Sequence, residues 1–564
     1  MDKEHLHRFL LTLALIMGFL FVWSEYLAPK PAPAPKPEVA TAKPTAQATK
    51  SAAPTAPAAT ERKEATPPAQ TAAVTDERQT PLYDLLFTNQ PGSLARATLR
   101  KFHVGESGKT PNIGVVPFEG AAPPPLRWTF GAGEQSWTDD GAEYRKTSAG
   151  ETNLIYEKAL DNGLIVSKNL TWSLSSYWIE QKVSVTNRKG EPVKLRSSVT
   201  LSSGDSHEEL RSSGVSSYLG NRPTPLRVSA FINEKAVYWT TEEVLSGKAI
   251  PPGEIRWAGF DSRYFLMTAV PVEARWNEIK MSATSRKDET SGKEISDRAD
   301  LTMIYPPYEI PTGGTQSYTL RLFLGPKDIG VLQGVGHDLD RAIDLGDWLG
   351  WIARPMLYFL RWLYSIFPNY GLAIILLTVV VRLLMFPLAQ KQARSMRKMQ
   401  EHKPQMDALK EKFKDDKEGY SRELMSYMRS HKINPMGGCL LILPQLPIFF
   451  ALYRVLWNSI ELRHAPFIFW IRDLSAHDPF FVLPVLLGIA MFLQQKMTPS
   501  PGADPAQQAM FKFMPIIFTA MMVFLPAGLN LYIFVSTLWG VVQQYWVQRE
   551  LASPAKVAEK VSRK

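Results

Sequence analysis

Long apolar runs lie near both ends of the chain, whereas its middle alternates between apolar and polar residues. The run at residues 371–390, GLAIILLTVVVRLLMFPLAQ, is long enough to cross a bilayer, for which about 20 apolar residues suffice. It contains one charge, Arg382, and the basic segment KQARSMRKMQ follows it directly. This pattern predicts a membrane span whose arginine either lines a polar cavity open to the cytosol or extends towards the lipid interface.

A second apolar run lies at the N-terminus, where Lys3 and Arg8 precede residues 9–23. The small residues of a signal-peptidase site do not follow this run directly. We therefore expect residues 1–27 to form an uncleaved membrane anchor with its N-terminus in the cytosol. Residues 28–80 are rich in alanine, proline and threonine, and this composition predicts a disordered, extended linker.

Strand-like alternation characterises residues 81–340, for example at 165–174 and 193–203. Many short strands between turns rich in Gly, Pro and Ser predict an extracytoplasmic all-β sandwich domain. The stretch GESGKT at 105–110 has His103 where a phosphate loop needs its first glycine, so we interpret it as an exposed turn. No spacing typical of a metal site or a nucleophile elbow occurs in this domain, so the sequence predicts no enzyme activity and no cofactor.

Residues 341–368 contain tryptophan and other large apolar residues at helical spacing, together with Arg354 and Arg361. This density of tryptophan predicts an amphipathic helix that lies on the membrane surface and leads into the second span at 369–388. The alternative, a short membrane span, is disfavoured by Arg354 and Arg361.

Residues 389–435 are strongly charged, with twelve Lys or Arg and seven Asp or Glu residues. Two helical pieces separated by DDKEG carry apolar stripes, one of which includes Met396, Met399 and Met406. This pattern predicts a cytosolic helical hairpin whose stripes either pack together or bind the apolar helices of partners.

Four further spans are predicted within residues 436–548, where the Pro-Ala-Gly tripeptide at 526–528 divides the last long apolar stretch. The tail at 549–564 contains five Lys or Arg residues, among them Arg549, Lys556 and Lys560. Six spans with both termini in the cytosol put every basic segment on the same side of the membrane. The predicted fold class is a polytopic α-helical membrane protein with six spans and a large extracytoplasmic all-β sandwich.

Charge and motifs restrict the classes of function. The net charge of +10 is concentrated near the predicted membrane segments, which favours contact with anionic lipid or with an RNA-bearing partner. Cys439 is the single cysteine, so no intrachain disulfide can form. A small-solute transporter or channel is the main alternative function, but the sequence has no inverted repeat, and the spans contain no second charged residue that would act as a partner of Arg382. An intramembrane enzyme is disfavoured because no HExxH or GxSxG motif lies in a span.

Four segments of the C-terminal part carry a specific pattern. They are VVVRLLMFPL at 379–388, NPMGGCLLILPQLPIFFALYRVL at 434–456, ELRHAPFIFWIRDLSAHDPFFVLP at 461–484 and MPIIFTAMMVFLPAGLNLY at 514–532. These segments resemble the YidC/Oxa family of membrane protein insertases, in its form with a large periplasmic domain. The resemblance implies a multi-pass protein of the bacterial inner membrane that moves newly made membrane proteins from the cytosol into the bilayer without nucleotide hydrolysis. It also implies a polar groove that is open to the cytosol and to lipid but closed towards the periplasm.

The resemblance also implies site residues, position by position. The expected polar groove residues are Arg382, Thr378, Gln445 and Tyr532. Ile533 stands where some relatives have a second tyrosine, which argues against a two-tyrosine contact surface. The expected apolar path for clients comprises Leu446, Pro447, Phe450, Met514 and Phe518.

Partner binding is expected at the hairpin methionines and at the basic residues of the tail. These residues are Met396, Met399, Met406, Arg549, Lys556 and Lys560. The expected partners are nascent membrane proteins, the Sec translocon, the ribosome, signal-recognition components and membrane lipids, but not DNA.

Overall fold

A computed structural model describes residues 74–103, 112–116, 125–132, 135–139, 142–203, 227–287, 294–346, 348–413, 416–431, 445–497 and 505–552. These residues belong to one compact unit that begins at Thr71. The predicted anchor at 1–27, most of the predicted linker, the GESGKT stretch, and Lys556 and Lys560 lie outside the described residues.

The described strands form three antiparallel sheets, and the smallest comprises β1 (Thr75–Gln79), β2 (Tyr83–Thr88), β3 (Ser93–His103) and β4 (Asn112–Val116) in that order. β1 pairs with β2 from Thr75 opposite Thr88 to Gln79 opposite Asp84. The prediction of a disordered linker through residue 80 is therefore wrong at its C-terminal end. Backbone hydrogen bonds hold the polar segment TDERQ at a sheet edge, although it has no apolar pattern to reveal a strand.

Two larger sheets form the body of the β-domain. Their strands are β5 (Leu126–Ala132), β6 (Gln135–Thr138), β7 (Arg145–Ala149), β8 (Asn153–Ala159), β9 (Leu164–Trp172), β10 (Trp178–Asn187), β11 (Val193–Ser202), β12 (Arg227–Ile232), β13 (Lys235–Trp239), β14 (Ile255–Asp261), β15 (Phe265–Pro271), β16 (Glu278–Lys287), β17 (Glu294–Ile304), β18 (Tyr308–Ile310) and β19 (Thr315–Pro326). The nine-stranded sheet has the order β13-β12-β14-β15-β19-β10-β9-β8-β7. The six-stranded sheet has the order β16-β17-β11-β5-β6, and β18 pairs with β11. Residues 204–226 and 288–293, which connect strands of this domain, lie outside the described residues.

Aromatic and polar side chains join the inner faces of the two larger sheets. Trp128 on β5 donates its Nε1–H to Gln181 Oε1 on β10 at 2.9 Å, and its ring centre lies 5.8 Å from that of Tyr318 on β19. Ser197 on β11 donates to the Tyr318 hydroxyl at 3.0 Å. Strands such as β9 bury alternate residues, as their period-two pattern requires. The predicted all-β sandwich is confirmed.

One short helix lies within the β-domain and the others follow it. They are α1 (Thr241–Leu245), α2 (Ile329–Val335), α3 (Gly350–Ile366), α4 (Tyr370–Glu401), α5 (Lys403–Lys412), α6 (Lys417–Ser430), α7 (Gln445–Asn458), α8 (Val482–Met497), α9 (Pro505–Met522) and α10 (Ala527–Ala552). α4 continues through Pro387 into the basic segment, so the predicted second span and the start of the predicted hairpin share one helix.

The amphipathic helix α3 covers protein with one face and exposes aromatic side chains on the other. Its buried residues are Ala353, Met356, Leu357, Leu360 and Leu363. Trp351 and Trp362 are 76% and 55% exposed. Arg354 forms an ion pair with Asp340 beside the helix. The exposed tryptophans are typical of a helix at a membrane interface, and the arginine does not have to enter lipid.

Glu461 lies in the 3-10 turn after α7, where that turn meets α3. Its carboxylate accepts a hydrogen bond from Arg361 at 3.0 Å, and Arg361 also pairs with Asp328 at 2.9 Å. Burial raises the pKa of Glu461 to about 7, and the nearby Asp328 charge acts in the same direction, although Arg361 opposes both. This carboxyl group therefore changes its charge near neutral pH.

Membrane crossing is clearest for α4. Within the described ranges, its segment Tyr370–Gln390 is the helix that is both long enough and apolar enough to span a bilayer, and protein covers only a small part of it. α8 has 16 residues and α7 has 14. At 1.5 Å per residue these helices extend for roughly 24 and 21 Å, less than the hydrocarbon thickness of about 30 Å. Six spans therefore stay a prediction.

A cluster of charged side chains around Asp344 joins the β-domain to the membrane helices. Asp344 Oδ2 accepts hydrogen bonds from Arg227 on β12 at 3.3 Å and from Arg454 on α7 at 3.1 Å. Asn458, at the end of α7, donates to the Asp344 carbonyl at 2.7 Å. Arg227 also pairs with the buried Asp261 at 2.6 Å. The cluster therefore connects the interior of the β-domain with the end of α7.

Candidate functional site

The central side chain of the candidate site is Arg382, which is half-buried within the apolar part of α4. Its Nε donates a hydrogen bond to the Ser536 hydroxyl at 2.9 Å, and its Nη2 donates to the same oxygen. In the described part of the chain, no carboxylate pairs with this guanidinium, and Tyr532 is the titratable side chain that interacts with it electrostatically. A charge within a membrane helix costs about 2.5–3.5 kcal/mol on insertion scales, so an arginine without a counter-ion indicates a functional site.

The opposite wall of the site comes from α10. Tyr532 and Ser536 lie one turn apart on this helix, so they share the face that meets Arg382. Tyr532 is only 4% exposed, and its hydroxyl lies next to that of Ser536. Its ring centre lies 6.4 Å from that of Phe449 on α7. The helices α4, α7 and α10 thus converge on a small polar centre within an apolar surrounding.

Two of the predicted groove residues do not join this centre. Thr378 is 1% exposed, and its hydroxyl donates to the Ile374 carbonyl of its own helix at 2.6 Å. A helical threonine can satisfy its hydroxyl on the preceding turn in this way, and the groove role of Thr378 stays a prediction. Gln445 begins α7 and is exposed, away from any described contact with Arg382. Its groove role stays a prediction.

The predicted apolar path lies on the outer surfaces of α7 and α9. Leu446, Phe450 and Met514 are exposed, and Pro447 and Phe518 are half-buried. Exposed apolar side chains of this kind are suited to lipid or to an apolar client helix, but not to water. The assignment of these five residues to a client path stays a prediction.

The hairpin methionines differ from one another in their surroundings. Met406 on α5 is 4% exposed and Met428 on α6 is 7% exposed, so both pack inside the helical hairpin. The Met406 side chain is therefore not exposed to a partner in this conformation, and its role in partner binding stays a prediction. Met399 is half-buried, whereas the side chains of Met396 and Arg549 lie outside the described part.

Sequence reasoning missed Ser536, the acceptor that holds Arg382. A usable signal was present, since Ser536 follows Tyr532 by four residues and must share its helical face. A metal centre has no support, because the described residues contain no group of three or more His, Cys, Asp or Glu side chains that could hold an ion.

Comparisons with known proteins cover the whole of this architecture. The model of the YidC periplasmic domain matches residues 78–359, and that of the 60Kd inner membrane protein matches residues 362–554. The first includes the β-sandwich and most of α3, and the second includes Arg382, Tyr532 and Ser536. Together they imply a protein of the inner membrane with a periplasmic β-domain.

Similar full-length proteins carry one name. The membrane protein insertase YidC of Syntrophus aciditrophicus is 32% identical over 98% of this chain and 100% of its own length. That of Geobacter sulfurreducens is 35% identical over 97% of this chain and 99% of its own length. A crystal structure of an active YidC insertase with its first transmembrane domain resolved is 18% identical, covers 84% of this chain and 94% of its own, and has a TM-score of 0.36. The chain therefore belongs to the YidC family of membrane protein insertases, as the resemblance of its C-terminal segments implied.

Proposed function

We propose that the centre formed by α4, α7 and α10 is a polar groove through which newly made membrane proteins pass from the cytosol into the bilayer, without nucleotide hydrolysis. In this proposal Arg382 receives the polar segments of a client. The apolar surface that includes Leu446, Phe450 and Met514 guides the client's apolar helix into lipid.

The position of Arg382 is the observation that carries the proposal. A polar segment that crosses hydrocarbon loses several kcal/mol for each unsatisfied backbone group. A groove that reaches part of the way across shortens this apolar path. Because Arg382 is held by the neutral Ser536 hydroxyl and not by a carboxylate, its charge remains available to acidic groups of an arriving segment.

The proposed topology has six spans and both termini in the cytosol. The spans comprise the anchor at 1–27, the segment at 369–388 and four helices within 436–548. The cytosolic parts are the hairpin at 389–435 and the basic tail at 549–564. Support comes from the exposed apolar side chains on several of these helices, among them Leu384 on α4, Ile489 on α8, Ile516 on α9 and Val542 on α10.

Clients of the family are membrane proteins. We propose two further groups of partners in addition to these clients. The Sec translocon would contact the protein in the membrane. The ribosome and signal-recognition components would contact the basic hairpin and tail, because clustered lysine and arginine attract RNA-rich surfaces.

Family membership favours the insertase over the alternative of a small-solute transporter or channel. It also confirms the expectation that the protein is not an enzyme, since the relatives are named as insertases over their whole length. No observation on the described residues favours the transporter over the insertase.

A client series with Arg382 variants tests the proposed groove. We expect Arg382→Ala to slow insertion of clients with acidic translocated tails, by up to about five-fold per carboxylate, because a transient pair in a wet site contributes at most about 1 kcal/mol. Arg382→Lys should be nearly neutral, since it keeps the charge and can still donate to Ser536. The measurement is an insertion time course in liposomes for one client with zero, one or two tail carboxylates, at equal protein level.

Equal slowing by alanine across the client series would contradict the groove role. In that case the arginine would serve only to anchor its own helix near the interface, and the number of carboxylates in the client would have no influence.

A further inference from the structure

Two side-chain nitrogens of α10 are buried and have no hydrogen-bond acceptor among the residues that the structure describes. They are Trp539 Nε1 and Gln543 Nε2, and each belongs to a half-buried side chain. Other buried side-chain atoms without a partner lie mainly in the β-domain, among them Trp257 Nε1 and Trp276 Nε1. The two nitrogens of α10 are distinguished by their position on the helix that meets Arg382.

Both nitrogens lie on the face of α10 that meets Arg382. At about 100° per residue, Tyr532, Trp539 and Gln543 lie within about 60° of Ser536 around the helix axis. Ser536 accepts hydrogen bonds from Arg382, so this face is directed towards α4. The unpaired donors therefore continue the polar centre along α10 by one to two helical turns.

The adjacent face of α10 provides a contrast. Gln544 Nε2 donates to the Met497 carbonyl at the end of α8 at 2.5 Å. Gly540 on the same side lies close to the Gln494 side chain. Neighbouring glutamines thus differ in their surroundings, since Gln544 contributes to helix packing whereas Gln543 Nε2 has no acceptor within the described ranges.

We propose that Trp539 and Gln543 act with Arg382 as a series of hydrogen-bond donors for the unfolded polar segment of a client. The oxygens that they bind are backbone carbonyls and side-chain carboxylates, because indole and guanidinium groups can only donate. This inference rests on the proposed groove and names the groups that recognise the client backbone.

The spacing of the donors fits an extended peptide. Ser536 and Gln543 are seven residues apart, which corresponds to roughly 10 Å along the helix axis. An extended chain covers this distance with about three residues. Carbonyls on one side of such a segment are two residues apart, so two of them fit this span and a side-chain carboxylate of the client can meet the third donor. These contacts satisfy groups that lipid cannot satisfy.

Two conservative variants separate client binding from a structural role. Trp539→Phe and Gln543→Met remove the N–H groups and keep much of the side-chain volume, and Tyr545→Phe removes a hydroxyl from an exposed position of the same helix as a control. Because these donors lack partners in the resting protein, neither variant should lower the thermal unfolding midpoint in detergent. Each should slow insertion of a client with an uncharged polar tail by about two- to ten-fold.

A lowered unfolding midpoint would show that the donors serve internal packing and would overturn the proposal. Unchanged insertion in both variants, with wild-type protein active on the same client, would also overturn it and leave the groove itself intact. Failure of the wild-type protein to insert any client in liposomes would instead count against the proposed function.

Photo-crosslinking provides an independent measurement of the same contact. A benzophenone amino acid at position 543 or 539 should capture the polar tail of a client arrested during insertion by a folded C-terminal domain. The same probe at Val542, which is 48% exposed on the outer surface, should capture lipid or the client's apolar helix. Capture of the tail from position 532 but not from 539 or 543 would restrict the groove to the centre around Arg382 and overturn the proposed donor series.

Discussion

The charged cluster at Asp344 leads to a quantitative prediction about how the β-domain holds α7. Asp344→Asn keeps the shape of the side chain but removes the charge that Arg227 and Arg454 share. Side-chain exposure is 21% for Arg227, 19% for Asp344 and 42% for Arg454. The cluster is therefore partly exposed to solvent, which reduces the energy of each pair.

The expected magnitude follows from that exposure. An ion pair that is as exposed as that between Asp344 and Arg454 contributes about 0.5–1 kcal/mol to stability after screening by solvent. Arg454 is the partner of Asp344 that lies on α7, so Asp344→Asn should cost about 0.5–1 kcal/mol in the local opening of the last turn of α7. This corresponds to roughly two- to five-fold faster amide exchange.

Hydrogen–deuterium exchange of the peptide that contains residues 455–461 is the direct assay, because local opening is measured without complete unfolding. The Ser459 amide, which donates to the Val455 carbonyl at 3.0 Å, should show the increase. Glu180→Gln is a matched control, since Glu180 and Arg321 form a similarly exposed pair at 2.7 Å within the nine-stranded sheet. This control should leave exchange in α7 unchanged.

A double-mutant cycle between Asp344→Asn and Arg454→Met tests the reasoning further. The two substitutions should be non-additive by about 0.5–1 kcal/mol if their side chains interact as the distances indicate. Additive effects, or equal acceleration of α7 exchange by the Glu180→Gln control, would refute the view that this cluster holds α7.

Three further predictions concern pH, the β-domain and the basic tail. Because the folded pKa of Glu461 is about 7 instead of 4.5, the folded state binds its proton more tightly, so the unfolding midpoint of the wild type should fall as pH rises from about 5 to above 7. Glu461→Gln should flatten this decline, and the same slope in both proteins would contradict the assignment. Deletion of residues 75–326, which keeps Asp328 beside Arg361, should preserve most insertion of a small client in liposomes, because the groove helices remain. A deletion variant that folds and reaches the membrane but inserts nothing would assign an essential role to the sandwich. Removal of residues 552–564 should weaken co-sedimentation with ribosomes, most strongly at low salt, whereas equal binding at every salt concentration would exclude the tail.

Local sequence patterns determined the secondary structure of the two main parts of this protein, the β-domain and the membrane helices. Alternation with a period of two in segments such as 165–174 is sufficient to predict strands that bury one face, because successive side chains point to opposite sides. The apolar run around Arg382 is sufficient to predict a membrane helix, because every backbone polar group in lipid must be satisfied within the segment. The resemblance to the family added the prediction that Arg382 and Tyr532 belong to the same site.

Tertiary structure alone decided which side chains meet. Ser536 accepts a hydrogen bond from Arg382, which is 154 residues away in the sequence. The apolar pattern of α4 or of α10 alone does not predict that these two helix faces meet. Met406 belongs to an apolar stripe that could pack within the hairpin or bind a partner, and the folded structure leaves it only 4% exposed. The strand β1 has no apolar pattern because its stability comes from backbone pairing with β2. In each case the deciding contact joins segments that are separate in sequence, and its free energy depends on a partner that local propensity does not encode.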